Sequence, residues 1–260
     1  MTAFTSSFKH IAMLLCAVAL TACEKNAVQD ITGALPGSRV KFFNFGLNAP
    51  QVNFYANTAK ISGILSATGI ESTVGTAYGS AASAGFYSAL APGQYTFSGR
   101  IAATVDKDLP VASVPATLAD GKAYSVYMSG LYDATAKTVE GFVVQDDFSA
   151  TADFAVGTVR FVNAMANANP MILYARNTTT GTETAIGGAV AYKAAGAFTT
   201  VEPGIYDIST RFVGVSTNAI TRTAVAFVGG RVYTISARGD MTITSTTAIN
   251  RPFLDNTANR

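Results

Sequence analysis

The sequence predicts an all-β chain built as two tandem β-sandwich domains. Two observations carry this: one unit is used twice, and each copy falls into short β-type runs separated by turn residues. Residues 40–56 read VKFFNFGLNAPQVNFYA and residues 159–175 read VRFVNAMANANPMILYA. Laid over each other without a gap, they share Val40/Val159, Phe42/Phe161, Asn44/Asn163, Tyr55/Tyr174 and others, and Lys41 and Arg160 match in charge. Ala91-Pro92-Gly93-Gln94-Tyr95 returns as Glu202-Pro203-Gly204-Ile205-Tyr206, and Gly121–Val126 returns as Gly230–Ile235. The offset between copies falls from 119 at Val40/Val159 to 111 at Pro92/Pro203 and 109 at Tyr124/Tyr233. Ordered blocks with drifting offsets mark an internal duplication, and copy one carries about eight extra residues within Ser62–Gly85.

Each block reads as β. Val40–Phe45 is dense in β-favouring residues, and both of its faces are largely apolar, which suits a strand between two layers. Asn48-Ala49-Pro50 breaks it, and Val52–Tyr55 alternates as a return strand. Ala77–Ala91, rich in Gly, Ala and Ser, fits either a small-residue strand pair or a loop. Pro92-Gly93 predicts a tight turn with proline at its second position and a positive-φ glycine at its third. Tyr124–Met128 and Val139–Val144 follow as strands in copy one. In copy two the last strand is expected at Met241–Thr247, with a polar, fraying tail at Arg251–Arg260. No capped apolar stripe at helical spacing is found. Many short strands with Gly, Pro, Asn and Asp punctuation argue Ig-like or transthyretin-like sandwiches.

The N-terminus reads as an export signal. Lys9 and His10 precede an apolar core, Ile11–Ala19, too short for a bilayer-spanning helix of roughly 20 residues. It runs into Leu20-Thr21-Ala22-Cys23, which resembles the lipobox of bacterial lipoproteins. That resemblance implies cleavage after Ala22, lipid on Cys23 and a membrane anchor for the mature chain. The expected organisation is 1–22 signal peptide, 23–38 tether, 39–147 first sandwich, 148–156 linker, 157–256 second sandwich and 257–260 tail. The tether of about 15 residues reaches at most roughly 50–54 Å when extended, so the first domain stays near the membrane.

Composition limits the chemistry. Two domains of ordinary size fit the 260 residues, and only 13% of these are charged. Removing residues 1–22 takes away Lys9 and no acid, so the net charge becomes +1. With no basic excess, nucleic acid is not an expected partner. The cysteines are Cys16, in the signal, and Cys23, so no disulfide is expected in the mature chain. The one histidine, His10, also lies in the signal, which removes Ser-His-Asp and Cys-His systems and His/Cys zinc sites. No phosphate-binding glycine motif is present. Asp106-Lys107-Asp108 and Asp146-Asp147 lack calcium-loop spacing and read as solvated turn residues. No catalytic residue, metal ligand or cofactor is assigned.

Aromatic residues are the remaining candidates. Tyr55, Tyr95, Tyr124, Tyr174, Tyr206 and Tyr233 recur in both copies and read as sandwich filling. Tyr78, Phe86 and Tyr87, in the insert of copy one and without a sequence counterpart in copy two, are the candidate contact surface.

The repeated blocks resemble the DUF4397 domain family, found on bacterial envelope proteins. In copy one Val40–Tyr55, Leu90–Tyr95, Gly121–Val126 and Asp146-Asp147 carry the resemblance. In copy two Val159–Asn163, Tyr174, Pro203–Tyr206 and Gly230–Ile235 carry it. An acid of the family pattern is Asn53 here, and Ile172 in copy two. The resemblance implies a fold and an envelope location, with no activity attached. The expectation is a non-catalytic lipoprotein, most simply of the outer membrane on its periplasmic or surface face. Its role would be structural or adhesive, with a protein or envelope polysaccharide as partner, and exposed strand edges could take a partner strand. The alternative is a carbohydrate-binding surface module. A hydrolase would need two acids facing across a cleft.

Overall fold

The computed structural model describes residues 37–63, 74–149 and 151–260. The signal motif Leu20-Thr21-Ala22 and Cys23 lie outside the described residues, as does the middle of the copy-one insert. Residues 36–260 form one compact unit. Apart from a 3-10 turn at Ala82–Gly85, the regular structure of the described residues is β.

In the first half, β1 (Ser38–Leu47), β4 (Ser80–Ala81), β5 (Ser88–Leu90), β8 (Ala123–Leu131) and β9 (Gly141–Gln145) form one sheet. Its order is β4-β1-β8-β9, with β5 also on β1. The facing sheet is β3 (Ala59–Lys60), β2 (Val52–Ala56), β6 (Gly93–Ile101) and β7 (Pro110–Leu118), in that order. The second half repeats the plan. β10 (Gly157–Asn163), β13 (Ala194–Ala195), β14 (Thr199–Val201), β17 (Val232–Arg238) and β18 (Phe253–Ala258) make one sheet, ordered β13-β10-β17-β18 with β14 on β10. β12 (Glu183–Val190), β11 (Met171–Asn177), β15 (Gly204–Phe212) and β16 (Ile220–Phe227) make the other. In each half one central pair is parallel, β1 on β8 and β10 on β17.

The two-faced apolarity of the first block has a direct structural cause. Val40 and Phe42 point into the first sandwich, whose core also holds Phe54, Phe97 and Val126. Phe43 and Phe45, on the other face of β1, join Tyr127, Phe142, Val162 and Ala164 in a third cluster. That cluster lies between the halves. β10 behaves alike: Val159 and Phe161 enter the second core, while Val162 faces the first half. The inner sheets of the two sandwiches therefore pack on each other, and β1, β8, β10 and β17 are covered on both faces.

Two local expectations come out differently, and an open one is resolved. The last strand is Phe253–Ala258, not Met241–Thr247, and 251–260 does not fray. β18 pairs with β17 over six residues, and Leu254 is fully buried. Two adjacent apolar residues in a polar run give little sequence signal, yet backbone pairing needs no side-chain pattern. Gly93 has the expected positive φ (149°) but opens β6, whereas Gly204, which opens β15, has no positive φ. The run 77–91 resolves as a strand pair: β4 and β5 both lie on β1.

The repeated tyrosines take matching roles. Ala119 N donates to Tyr124 Oη at 3.0 Å, and Val228 N to Tyr233 Oη at 3.1 Å. Tyr95 and Tyr206 each donate to the carbonyl four residues earlier. Tyr55 and Tyr174 each lie under an arginine, Arg100 and Arg211, at 4.2 Å.

Candidate functional site

The polar chemistry of the molecule concentrates where the inner sheets meet. Strand register identifies equivalent positions. Tyr124 pairs with Gln145 and Tyr233 with Ala258, so Asp146 corresponds to Asn259. Val40 pairs with Ser88 and Val159 with Thr199, so Tyr87 corresponds to Phe198. Asn44 pairs with Ser80 and Asn163 with Ala194, so Tyr78 corresponds to Tyr192. The candidates without a sequence counterpart thus have structural ones, hidden by the length change in the insert.

Across these positions the contacts run reciprocally, about a pseudo-two-fold axis. Lys41 of β1, 2% exposed, donates to Ala258 O at the end of β18. Arg160 of β10, 1% exposed, donates to Gln145 O at the end of β9, at 2.8 Å. Lys41 lies over Tyr87 at 4.3 Å and Arg160 over Phe198 at 4.7 Å. Ser125 donates to Asp146 at 2.8 Å, and Asn259 donates to Thr234 at 3.0 Å. Tyr127 meets Ser236 on the axis, with 3.3 Å between their oxygens.

The two sides are not identical. Asp146 carries a charge where Asn259 does not, and it forms a buried ion pair with Arg160. Asp146 also accepts from Tyr87 Oη at 2.7 Å. Its reading as a solvated turn residue is therefore corrected: it is 4% exposed and holds three side chains, Arg160, Tyr87 and Ser125, together. Asp147 next to it is exposed and 3.5 Å from Lys122. The apolar cluster is also asymmetric. Phe43, Phe45 and Tyr127 in the first half correspond to Val162, Ala164 and Ser236 in the second. Large rings face small side chains, with Phe43 and Phe142 stacked on Tyr127 at 4.6 and 4.9 Å. Two copies of the first half docked this way would oppose ring to ring, so size complementarity favours the unlike pair.

Burial and charge set the titrations. Burial pulls Lys41 down to about 8, with Asp146 opposing and Arg160 assisting. Burial first, then Asp146, pushes the Tyr87 hydroxyl far up, and burial raises Tyr127 to about 12. At the rim, Tyr192 donates to Glu140 at 2.9 Å, and the Lys193 ammonium holds Glu140 below the usual carboxylate range. On the equivalent side Arg238 lies 5.1 Å from the Tyr78 ring and pairs with Asp255 at 2.5 Å.

The structure thus places the Tyr78 ring by Arg238 of the second half, and the Tyr87 ring by Lys41 of its own half, with its hydroxyl on Asp146. Phe86 points away and is 75% exposed. It follows a 3-10 turn in which Ser83 and Ala84 both have positive φ, 50° and 53°. Sequence reading missed Lys41, Arg160 and Asp146 as one constellation. Their signal was present: a charge at one place in both copies, inside a strand apolar on both faces.

Other surfaces are plain. Asp106 pairs with Lys137, and Asp108 accepts from Tyr55 Oη at 2.9 Å. Among the described residues no three His, Cys, Asp or Glu side chains converge as a metal site. The outer edge strands are blunted. β7 carries Pro110 and Pro115, β16 has Ala224 at φ 56°, and β12 has Gly187 at φ 70°. These irregularities make the three strands poorer templates for an added strand.

These features define a class, an all-β module of two sandwiches joined through their inner sheets. The chain belongs to the DUF4397 family, a domain of unknown function whose model matches residues 38–174. No curated protein matches it. Among solved structures it is similar to one titled "putative cell adhesion protein" from Bacteroides uniformis ATCC 8492. The identity is 11% and the TM-score 0.29, over 88% of this chain and 98% of that one. It is also similar to the human-specific toxin intermedilysin, at 11% identity and TM-score 0.24, over 70% of this chain and 33% of that one.

Proposed function

We propose that this protein is a non-catalytic lipoprotein of the bacterial cell envelope, held to the membrane by lipid on Cys23. Its paired sandwiches act as one stiff structural or adhesive module, and the second half is a further DUF4397 repeat. One observation carries the reading: the buried charged and aromatic side chains between the sandwiches are committed to locking the halves together. Lys41, Tyr87, Asp146 and Arg160 partner one another or backbone carbonyls across that face. A module that transmits or resists force gains from such a lock, and contact with a partner then falls to loops and outer faces. The envelope location rests on the Leu20–Cys23 motif alone.

Two measurements test it. Mass spectrometry of protein from native membranes should show an acylated Cys23 as first residue, and an unmodified Cys23 would remove the anchor. Soluble protein comprising residues 24–260 should bind whole cells or purified wall saturably. Turnover of a glycoside or ester substrate by this protein would overturn the non-catalytic part.

A further inference from the structure

A groove of about 540 Å³ runs between edge strand β16 and the segment joining β17 to β18. Its lining contains two guanidiniums, Arg222 and Arg251, and no carboxylate. Half of the rest carries hydroxyls, Thr221 and Thr223 from β16 and Thr244, Ser245 and Thr246 from the facing segment, and the other half is apolar, including Ile220, Ile243 and Phe253. In a mature chain of net charge +1, two cations with no acid between them are a local departure.

Both arginines are held in place by a carbonyl and a ring rather than by an ion pair. Arg222 Nη1 donates to Leu254 O at 2.7 Å, and Arg251 Nη1 to Ala248 O at 2.9 Å. Both lie by the Phe253 ring, at 5.3 and 5.1 Å. Each uses one N–H direction on a carbonyl and keeps others for a ligand. Asp255, whose carboxylate feels the Arg222 charge, is ion-paired with Arg238. Guanidiniums fixed by a ring and a carbonyl are preorganised to grip planar or tetrahedral oxyanions. Hydroxyls interspersed with apolar side chains suit a sugar, which presents hydroxyls at its edges and C–H groups on its faces.

We propose that this groove binds an acidic polysaccharide. Arg222 and Arg251 take its carboxylate, sulfate or phosphate oxygens, and the threonine and serine hydroxyls meet its sugar hydroxyls. The inference names the envelope partner and rests on that reading only for where the polymer comes from. It also gives the carbohydrate-binding alternative a definite place, on β16 and away from Tyr78, Phe86 and Tyr87.

The test is biolayer interferometry with residues 24–260, which keep the compact unit whole. Probes are heparin, polygalacturonate, neutral dextran, polyglutamate, and vesicles containing phosphatidylglycerol. The expected result is saturable binding to heparin or polygalacturonate, weakened by salt, with none to dextran. Arg251→Ala should weaken it at least tenfold. Thr246→Glu, which leaves both arginines and their anchors intact, should do the same, while Arg231→Ala on another exposed loop should not. Full binding by both groove variants would overturn the site. Equal affinity for polyglutamate would reduce it to charge attraction, and binding to vesicles alone would assign it to lipid headgroups; either overturns the glycan. Purified protein gives these results whatever its cellular address, so fractionation of cells judges the envelope reading separately.

Discussion

Removing Asp146 tests the lock between the halves. Asp146→Ala leaves the Arg160 guanidinium, 1% exposed, with only Gln145 O, Thr234 Oγ1 and the Phe198 ring. It also strips the acceptor from Tyr87 and Ser125. Breaking a buried ion pair on one side costs about 3–5 kcal/mol, because the remaining charge stays desolvated. For a folded unit of this size each kcal/mol moves Tm by roughly 2–4 °C, so the expected fall is on the order of 6–20 °C. The molecule contains its own control. The equivalent position is Asn259, and there Lys41 manages with a carbonyl and an aromatic ring. Asp146→Asn combined with Arg160→Lys recreates that arrangement and should recover at least half of the loss caused by Asp146→Asn alone. Differential scanning calorimetry of residues 24–260 reads both. A Tm for Asp146→Ala within about 2 °C of the parent would refute the reasoning, since the pair would then contribute no more than an exposed one.

Other outcomes follow from the same geometry. Because the folded pKa of Lys41 is lowered, the folded state binds fewer protons than the unfolded chain above about pH 8. Its unfavourable burial is therefore relieved as pH rises from about 8 towards 10.5, and stability from this group increases. Urea unfolding of parent and Lys41→Met should show the variant's advantage shrinking between pH 8 and 9.5. That range stays below the window where the raised tyrosines act in the opposite sense. Leu254→Ala should cost about 2–5 kcal/mol by thermal unfolding, as for a core residue, although it sits in a polar C-terminal run. Gly239→Ala should yield little folded protein. Its φ is 111°, and a Cβ there would come 2.1 Å from Arg251 O, so strain and collision coincide; soluble expression and circular dichroism read the result.

Much of the architecture was legible in residue order. Short β runs with turn punctuation gave sandwiches, and blocks recurring at drifting offsets gave two of them. The apolar two-sidedness of Val40–Phe45 already required a layer on each face. The alternation of a strand states which residues share a face, because side chains alternate with period two. It does not state what covers that face. Only the tertiary structure decided that the second cover of β1 is the other half of the chain. The same decision put Lys41 and Arg160 inside, where their charge makes them look like surface residues. It turned Asp146 from a turn acid into the centre of a buried network, and placed Tyr78 and Tyr87 over cations while leaving Phe86 outside. It also made Phe253–Ala258 a strand, because β17 offered an unpaired edge at the right register. The physical reason is common to all of these. Propensity and periodicity act within a few residues, whereas burial of a charge and pairing of an edge depend on groups well beyond that range, from 14 positions for Asp146 and Arg160 to 217 for Lys41 and Ala258.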